Sequence, residues 1–238
     1  MGRSRNLKIA AVLIVVAVAT PSQTLATTGG VGLPGTTPSA TTAAVADQLV
    51  TVSGEGITVS GHTGVLLSGR LWLKGTVSSA QSGRTLVIEQ QSQPGSQWTQ
   101  AGSTTIGAGG SFVAAWHPQQ VGRFSLSVGL QGSSRVSPPI NVIVYRPSIA
   151  TLFGPGLWGN HTACGKVLRK PTVGVANRKL PCGAQVAIYY RGRTVVVLVI
   201  DRGPYANSAN WDLTMATGRL LGMNSTTTVG AMSIAALR

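Results

Sequence analysis

Val195-Val196-Val197-Leu198-Val199-Ile200-Asp201-Arg202-Gly203-Pro204-Tyr205 is an apolar run that stops at a carboxylate and a tight turn. Five of its first six residues are β-branched, which suits a buried strand, and Gly203-Pro204 supplies the turn chemistry. Seven residues on, Trp211-Asp212-Leu213-Thr214 opens an apolar pattern of helical spacing. From Arg146 to Arg238 there are eleven Lys and Arg, but the only acids are Asp201 and Asp212. Carboxylate acid–base chemistry in this half, or a carboxylate grip on a sugar, has only these two side chains to use.

Outward from this stretch, strands are expected at 149–153, 185–190 and 194–200, and a last one near 229–237. A helix is expected over 214–221, with Leu213, Ala216, Leu220 and Leu221 at its spacing and Gly222 as its stop. Several strands and one short helix in residues 148–238 describe a small closed barrel. Upstream, residues 47–147 read as short β runs broken by turn residues such as Pro94-Gly95 and Gly107-Ala108-Gly109-Gly110. Candidate strands are 65–73, 84–90, 98–106, 111–116, 122–128 and 140–145. In 122–128, Phe124, Leu126 and Val128 share one face. This density of strands predicts an immunoglobulin-like β-sandwich. Arg146-Pro147 reads as the hinge between the two units. His62 and His117 belong to no ligand-like cluster, and neither a metal nor a cofactor is implied.

The first 26 residues read as a secretory signal: Arg3, Arg5 and Lys8, then an apolar run from Ile9 to Ala19, then Thr24-Leu25-Ala26. Eleven apolar residues fall short of the roughly 20 that cross a bilayer, so no span is expected after cleavage. Residues 27–46, dominated by Thr, Gly, Pro, Ser and Ala, read as a linker. The chain carries +14, and losing the three cations of the signal leaves +11. In an exported protein that field points to anionic wall polymers rather than nucleic acid. Export also bears on Cys164 and Cys182, which are expected to pair in an oxidising compartment. The rival is a reactive Cys nucleophile served by His161.

Four ordered blocks carry a resemblance. They are Thr162-Ala163-Cys164-Gly165, the stretch from Val175 through Asn177, Arg178 and Pro181 to Gly183, Ile200-Asp201-Arg202-Gly203-Pro204-Tyr205, and Trp211-Asp212-Leu213 followed by Leu220-Leu221-Gly222. In order and spacing, residues 149–238 resemble the double-psi β-barrel of the rare lipoprotein A family, which includes lytic transglycosylases. An immunoglobulin-like module ahead of the barrel and the paired Cys resemble its actinobacterial members. The expected fold is therefore all-β, a sandwich followed by a six-stranded double-psi barrel with one short helix.

The resemblance implies a secreted or wall-associated protein that binds and cleaves peptidoglycan glycan strands, with Asp201 as the catalytic carboxyl and Asp212 in the substrate groove. A His of active relatives is Asn177 here, and a Glu is Lys166; both positions are expected to contact substrate. Trp158 and Tyr205, in Gly- and Pro-rich loops, are the expected sugar-stacking rings. Two bland readings stand beside these: Asp201 as a turn carboxylate, and Asp212 as a helix N-terminal residue. Expansins share the barrel, so a non-catalytic glycan-binding or wall-loosening module is the alternative function. A purely electrostatic polyanion binder is the third.

Overall fold

The computed structural model describes residues 45–47, 49–92, 94–206 and 208–237. The expected signal and all but the end of the expected linker lie outside them. The strands of the N-terminal half are β1 (Val45–Asp47), β2 (Leu49–Gly54), β3 (Ile57–His62), β4 (Gly64–Leu66), β5 (Leu71–Thr76), β6 (Thr85–Gln91), β7 (Thr99–Thr105), β8 (Ser111–Trp116) and β9 (Gly122–Leu130). Then follow β10 (Ile140–Phe153), β11 (Val175–Ala176), β12 (Gln185–Tyr190), β13 (Arg193–Asp201), β14 (Trp211–Thr214), α1 (Met215–Leu221) and β15 (Thr227–Ser233).

In the N-terminal half, β2-β3-β5-β8 form an antiparallel sheet, and β9, β6 and β7 extend a second sheet from β10, with β4 on its other edge. Alternation builds the core between them. Ile57 and Val59 of β3 and Leu71 and Leu73 of β5 face Leu86, Ile88, Leu126 and Val142 of the second sheet. Phe124, Leu126 and Val128 are buried together, as their spacing predicts. Trp116 meets Phe124 edge to face at 5.3 Å and donates its Nε1–H to Gln90 Oε1 at 2.8 Å, so a fully buried indole leaves no polar atom unpaired. The single strand expected over 65–73 is two strands in different sheets. Ser68 takes φ 63° and Gly69 bonds back to Leu66, which turns the chain between β4 and β5.

The C-terminal half closes. Strand order is β14-β11-β13-β12-β15-β10, and β10 pairs with β14 to complete a six-stranded barrel. Two of its pairings, β11–β13 and β10–β14, are parallel. Inside sit Val186, Ile188, Val195, Val197, Val199, Leu213, Leu221 and Val229. The helix comes where Thr214 and Gly222 place it. Thr214 caps it by accepting from Thr217 N–H, and Gly222 ends it at φ 74°, a left-handed conformation that glycine adopts without a Cβ penalty.

Two expectations are corrected here. Arg146-Pro147 is no hinge, because β10 runs through it without a break. Its first part pairs with β9 and β4, and its second with β15 and β14. Pro147 is tolerated for a local reason. Ile149 donates its N–H to Asn210 Oδ1 on the edge away from β15, and Pro147, two residues earlier, faces that same edge. Pairing with β4 has ended at Tyr145 and pairing with β14 has not begun, so the missing donor costs no ladder bond. The junction is packed as well: the Tyr145 and Tyr189 rings stack at 5.2 Å. Gly230 and Gly64 make room for them, since a Cβ at either would lie 2.5 Å from Tyr145 Cβ or 2.7 Å from the Tyr189 ring. The second correction concerns the linker. Val45 and Ala46, its last two residues, belong with Asp47 to β1, which pairs antiparallel with β13 of the barrel.

Candidate active site

Strand registers bring the two aspartates together. On β11, Ala176 stands opposite Asp212 of β14 on one side and Asp201 of β13 on the other. Thr151 of β10 stands opposite Asp212 in turn. Residues directly opposite across a ladder share a face, so Thr151, Asp212, Ala176 and Asp201 form one row across four strands of the barrel wall. They line an open groove of about 370 Å³, together with Phe153, Leu157 and the loop from Arg202 to Ala206. Between the two carboxylates, Ala176 is itself buried, covered by Phe153, Leu168 and Trp158.

Asp201 reaches this face through a bulge. Val195, Val197 and Val199 point inward, so strict alternation would bury residue 201 as well. Between Val175 and Ala176 the register shifts: Val175 pairs with Val199, but Ala176 pairs with Asp201. The extra residue, Ile200, is buried against Gly174, where a Cβ would meet its Cδ1 at 2.5 Å. Asp201 is thereby turned outward, the re-aiming that bulges produce. Its Oδ1 accepts the N–H of Ala163 and of Arg202, each at 2.8 Å. The turn-carboxylate reading is thus part of the answer, and the same side chain borders the groove.

Asp212 does not start the helix. It lies within β14 between buried Trp211 and Leu213, and Thr214 is the cap. Its Oδ1 accepts the Thr151 hydroxyl at 2.7 Å. Burial raises its pKa above the ordinary carboxylate value and the charge of Asp201 raises it further, while the Thr151 hydroxyl pulls the other way. The nearby cations do not cancel this. The Arg202 guanidinium donates to Asn177 O, Leu180 O and Cys182 Sγ, and the Arg178 guanidinium to Pro204 O and Ala209 O. Both arginines fasten loops around the groove.

The other expected residues separate. Tyr205 lines the groove and is 78% exposed. Trp158 is absent from the groove lining and packs against Phe153, Leu168 and Ala176, with its ring over Gly154. Asn177 faces a different cavity, and its Oδ1 accepts the N–H of Lys179 and Leu180 while its Nδ2 donates to Asn210 O. Lys166 is exposed in the turn closed by Thr162 N–H to Lys166 O, outside the groove lining. Cys164 and Cys182 are disulfide-bonded, which excludes the nucleophile reading and ties the 162–166 turn to the loop after β11. Thr151, Leu157 and Ala176 were not anticipated. Among the described residues, no three His, Cys, Asp or Glu are grouped as metal ligands, and no helix is long and apolar enough to cross a membrane.

A six-stranded barrel with parallel β11–β13 and β10–β14 pairings and paired outward aspartates defines the class. Residues 149–234 match the family model described as lytic transglycolase. Three curated relatives carry the name "Probable endolytic peptidoglycan transglycosylase RlpA". The Synechocystis protein is 35% identical over 79 residues, 32% of this chain and 25% of that protein. The Aquifex aeolicus protein is 36% identical over 81 residues, 33% and 36%. The Nostoc protein is 38% identical over 72 residues, 29% and 19%. The chain thus spans between about a fifth and just over a third of the length of these relatives. The C-terminal half is an RlpA-like double-psi β-barrel.

Proposed function

We propose that this protein is exported and that its barrel binds peptidoglycan glycan strands and cleaves them by transglycosylation. The observation that carries the reading is that Asp201 and Asp212 stand on one row beside one open groove, with burial raising the Asp212 pKa. A carboxyl that holds its proton more tightly than an ordinary one is the better placed of the two to donate it to the glycosidic oxygen as the bond to the anomeric carbon breaks. The 6-hydroxyl of the same muramyl residue then bonds to that carbon, and its proton passes to the Asp212 carboxylate. The product is a 1,6-anhydro sugar, the acid is regenerated, and no water is consumed. Asp201, on the same row, stabilises positive charge developing at the anomeric carbon, and its charge adds to the rise in the Asp212 pKa. On this reading Asp212, not Asp201, takes the acid role that the resemblance implies for Asp201. Tyr205 and Leu157 offer surfaces for the sugar faces.

The organisation that accompanies this reading is a signal over 1–26, a linker into the mid-forties, an immunoglobulin-like sandwich to about 147 and the barrel from 148. The basic surface holds the protein near anionic wall polymers. Purified sacculi incubated with the protein should release 1,6-anhydro-muropeptides; no such products at high protein concentration would overturn the cleavage reading. One observation favours the expansin-like alternative: Asn177, where active relatives have His, has its amide committed to a turn. On that alternative, sacculi are bound, Tyr205→Ala weakens the binding, and no anhydro product forms.

A further inference from the structure

Each sulfur of the disulfide sits beside a group that holds Asp201. Residues 159–168 double back on themselves: Gly159 N–H donates to Leu168 O, Leu168 N–H to Asn160 O, and His161 bridges to Val167. The base of this loop is fixed by Leu168, buried with Phe153 and Ala176. At the tip, Ala163, Gly165 and Lys166 are exposed. Among the described residues, the hydrogen bonds made by 162–166 stay within the loop, except that Ala163 N–H donates to Asp201 Oδ1 at 2.8 Å. The tip's other tie starts at the next residue, Cys164. At the far end of that tie, Arg202 touches both features. Its backbone N–H donates to Asp201 Oδ1, and its guanidinium donates to Asn177 O, Leu180 O and, at 3.2 Å, Cys182 Sγ. Cys182 is exposed, and a cation beside its sulfur favours the thiolate, which makes it the better leaving group when the bond is attacked.

We infer that the Cys164–Cys182 bond is a positioning element for Asp201, so that a dithiol reaching it slows the groove's chemistry without unfolding the barrel. The inference rests on the proposed function for its effect on cleavage, and deepens it by giving that site a redox control. The step is thiol–disulfide exchange. A donor thiolate bonds to Cys164 Sγ as the Cys164–Cys182 bond breaks, and the electron pair leaves on Cys182. The donor's second sulfur then displaces Cys164 and closes the donor's own disulfide. The donor loses two electrons and two protons, which end on the Cys164 and Cys182 thiols. Without the cross-link, the Ala163 hydrogen bond is the tip's remaining tie to Asp201. As the tip moves away, Asp201 Oδ1 keeps the Arg202 N–H of its own turn and loses the donor that came from outside it.

The chain holds no other cysteine, so dithiothreitol acts at one bond. Amide exchange followed by NMR on the oxidised and reduced protein reads the positioning directly, with no substrate present. Ala163 N–H should exchange at least about tenfold faster after reduction, while the β12 and β13 amides stay protected. A hydrogen bond to a charged acceptor corresponds to a factor of roughly ten to a hundred, so the maximal rate of anhydro-muropeptide release should fall by that much. Affinity for sacculi should stay within about twofold, since Tyr205 and Leu157 are untouched, and reoxidation should restore the rate. The Cys164→Ser/Cys182→Ser variant should start at the reduced rate and not respond to dithiothreitol. Unchanged exchange at Ala163 after reduction overturns the inference, as does an equal cleavage rate in the two forms. Loss of protection throughout the barrel overturns it as well, because the bond would then be a stability cross-link alone. If the oxidised protein releases no anhydro products but reduction still frees Ala163, the cleavage reading falls and the positioning stands.

Discussion

Asp212→Asn separates the chemistry from the fold. Asparagine keeps an oxygen where Asp212 Oδ1 accepts the Thr151 hydroxyl, and it keeps the volume between Trp211 and Leu213. What disappears is the proton. A positioned general acid contributes about 10²–10⁴ in rate, which at 1.36 kcal/mol per decade is about 3–5.5 kcal/mol of barrier. Release of anhydro-muropeptides from sacculi should therefore fall at least about a hundredfold, measured by chromatography and mass spectrometry. Stability should move the other way. The folded protein holds the Asp212 proton more tightly than the unfolded chain, so this group's contribution is complete below the ordinary value of 3.8 and is lost as pH rises through the raised folded value. At pH 7.5 the wild type carries that cost and the amide does not. The variant should melt at the same temperature or higher at pH 7.5, and the gap should close at low pH; each kcal/mol corresponds to roughly 2–4 °C in a protein of this size. Full turnover in the variant would refute the acid assignment. A variant that melts lower at pH 7.5, with the deficit vanishing in acid, would show a depressed pKa and refute the electrostatics.

Tyr205→Ala should leave the melting temperature unchanged, because the ring is 78% exposed, and should weaken sacculus binding by roughly three- to tenfold through loss of one ring contact. Replacing both Cys164 and Cys182 with Ser removes a cross-link between positions 18 apart, worth about 3 kcal/mol in the chain-entropy model, or roughly 6–12 °C by calorimetry. Limited digestion with a broad-specificity protease should not cut within 140–153, since β10 is paired along both edges for most of its length.

Much of the barrel is legible in the residues themselves. The valine run of β13, the turn at Gly203-Pro204, and the Thr214 and Gly222 ends of the helix are local signals, and local physics decides them. The face on which Asp201 emerges is not local. Alternation from Val195 to Val199 points it inward, and only packing of Ile200 against Gly174 turns it out. The donor to Asp212 is equally remote, 61 residues earlier in Thr151. Asn177 misleads because an amide near a groove looks like a sugar ligand, yet two backbone N–H groups within three residues claim its oxygen first. Pro147 misleads in the opposite direction. A proline reads as a break, and only its placement on an unpaired edge shows why the strand continues.

That uninterrupted strand has a mechanical meaning. If the proposed function holds, the polymer pulls on the barrel, and tension between the two halves would pass along residues 140–153. Ladders flank that route on both sides, so the load is borne in shear by many hydrogen bonds at once instead of stretching a flexible tether. The strand that carries the groove's Thr151 and Phe153 would then also be the one that takes up the load.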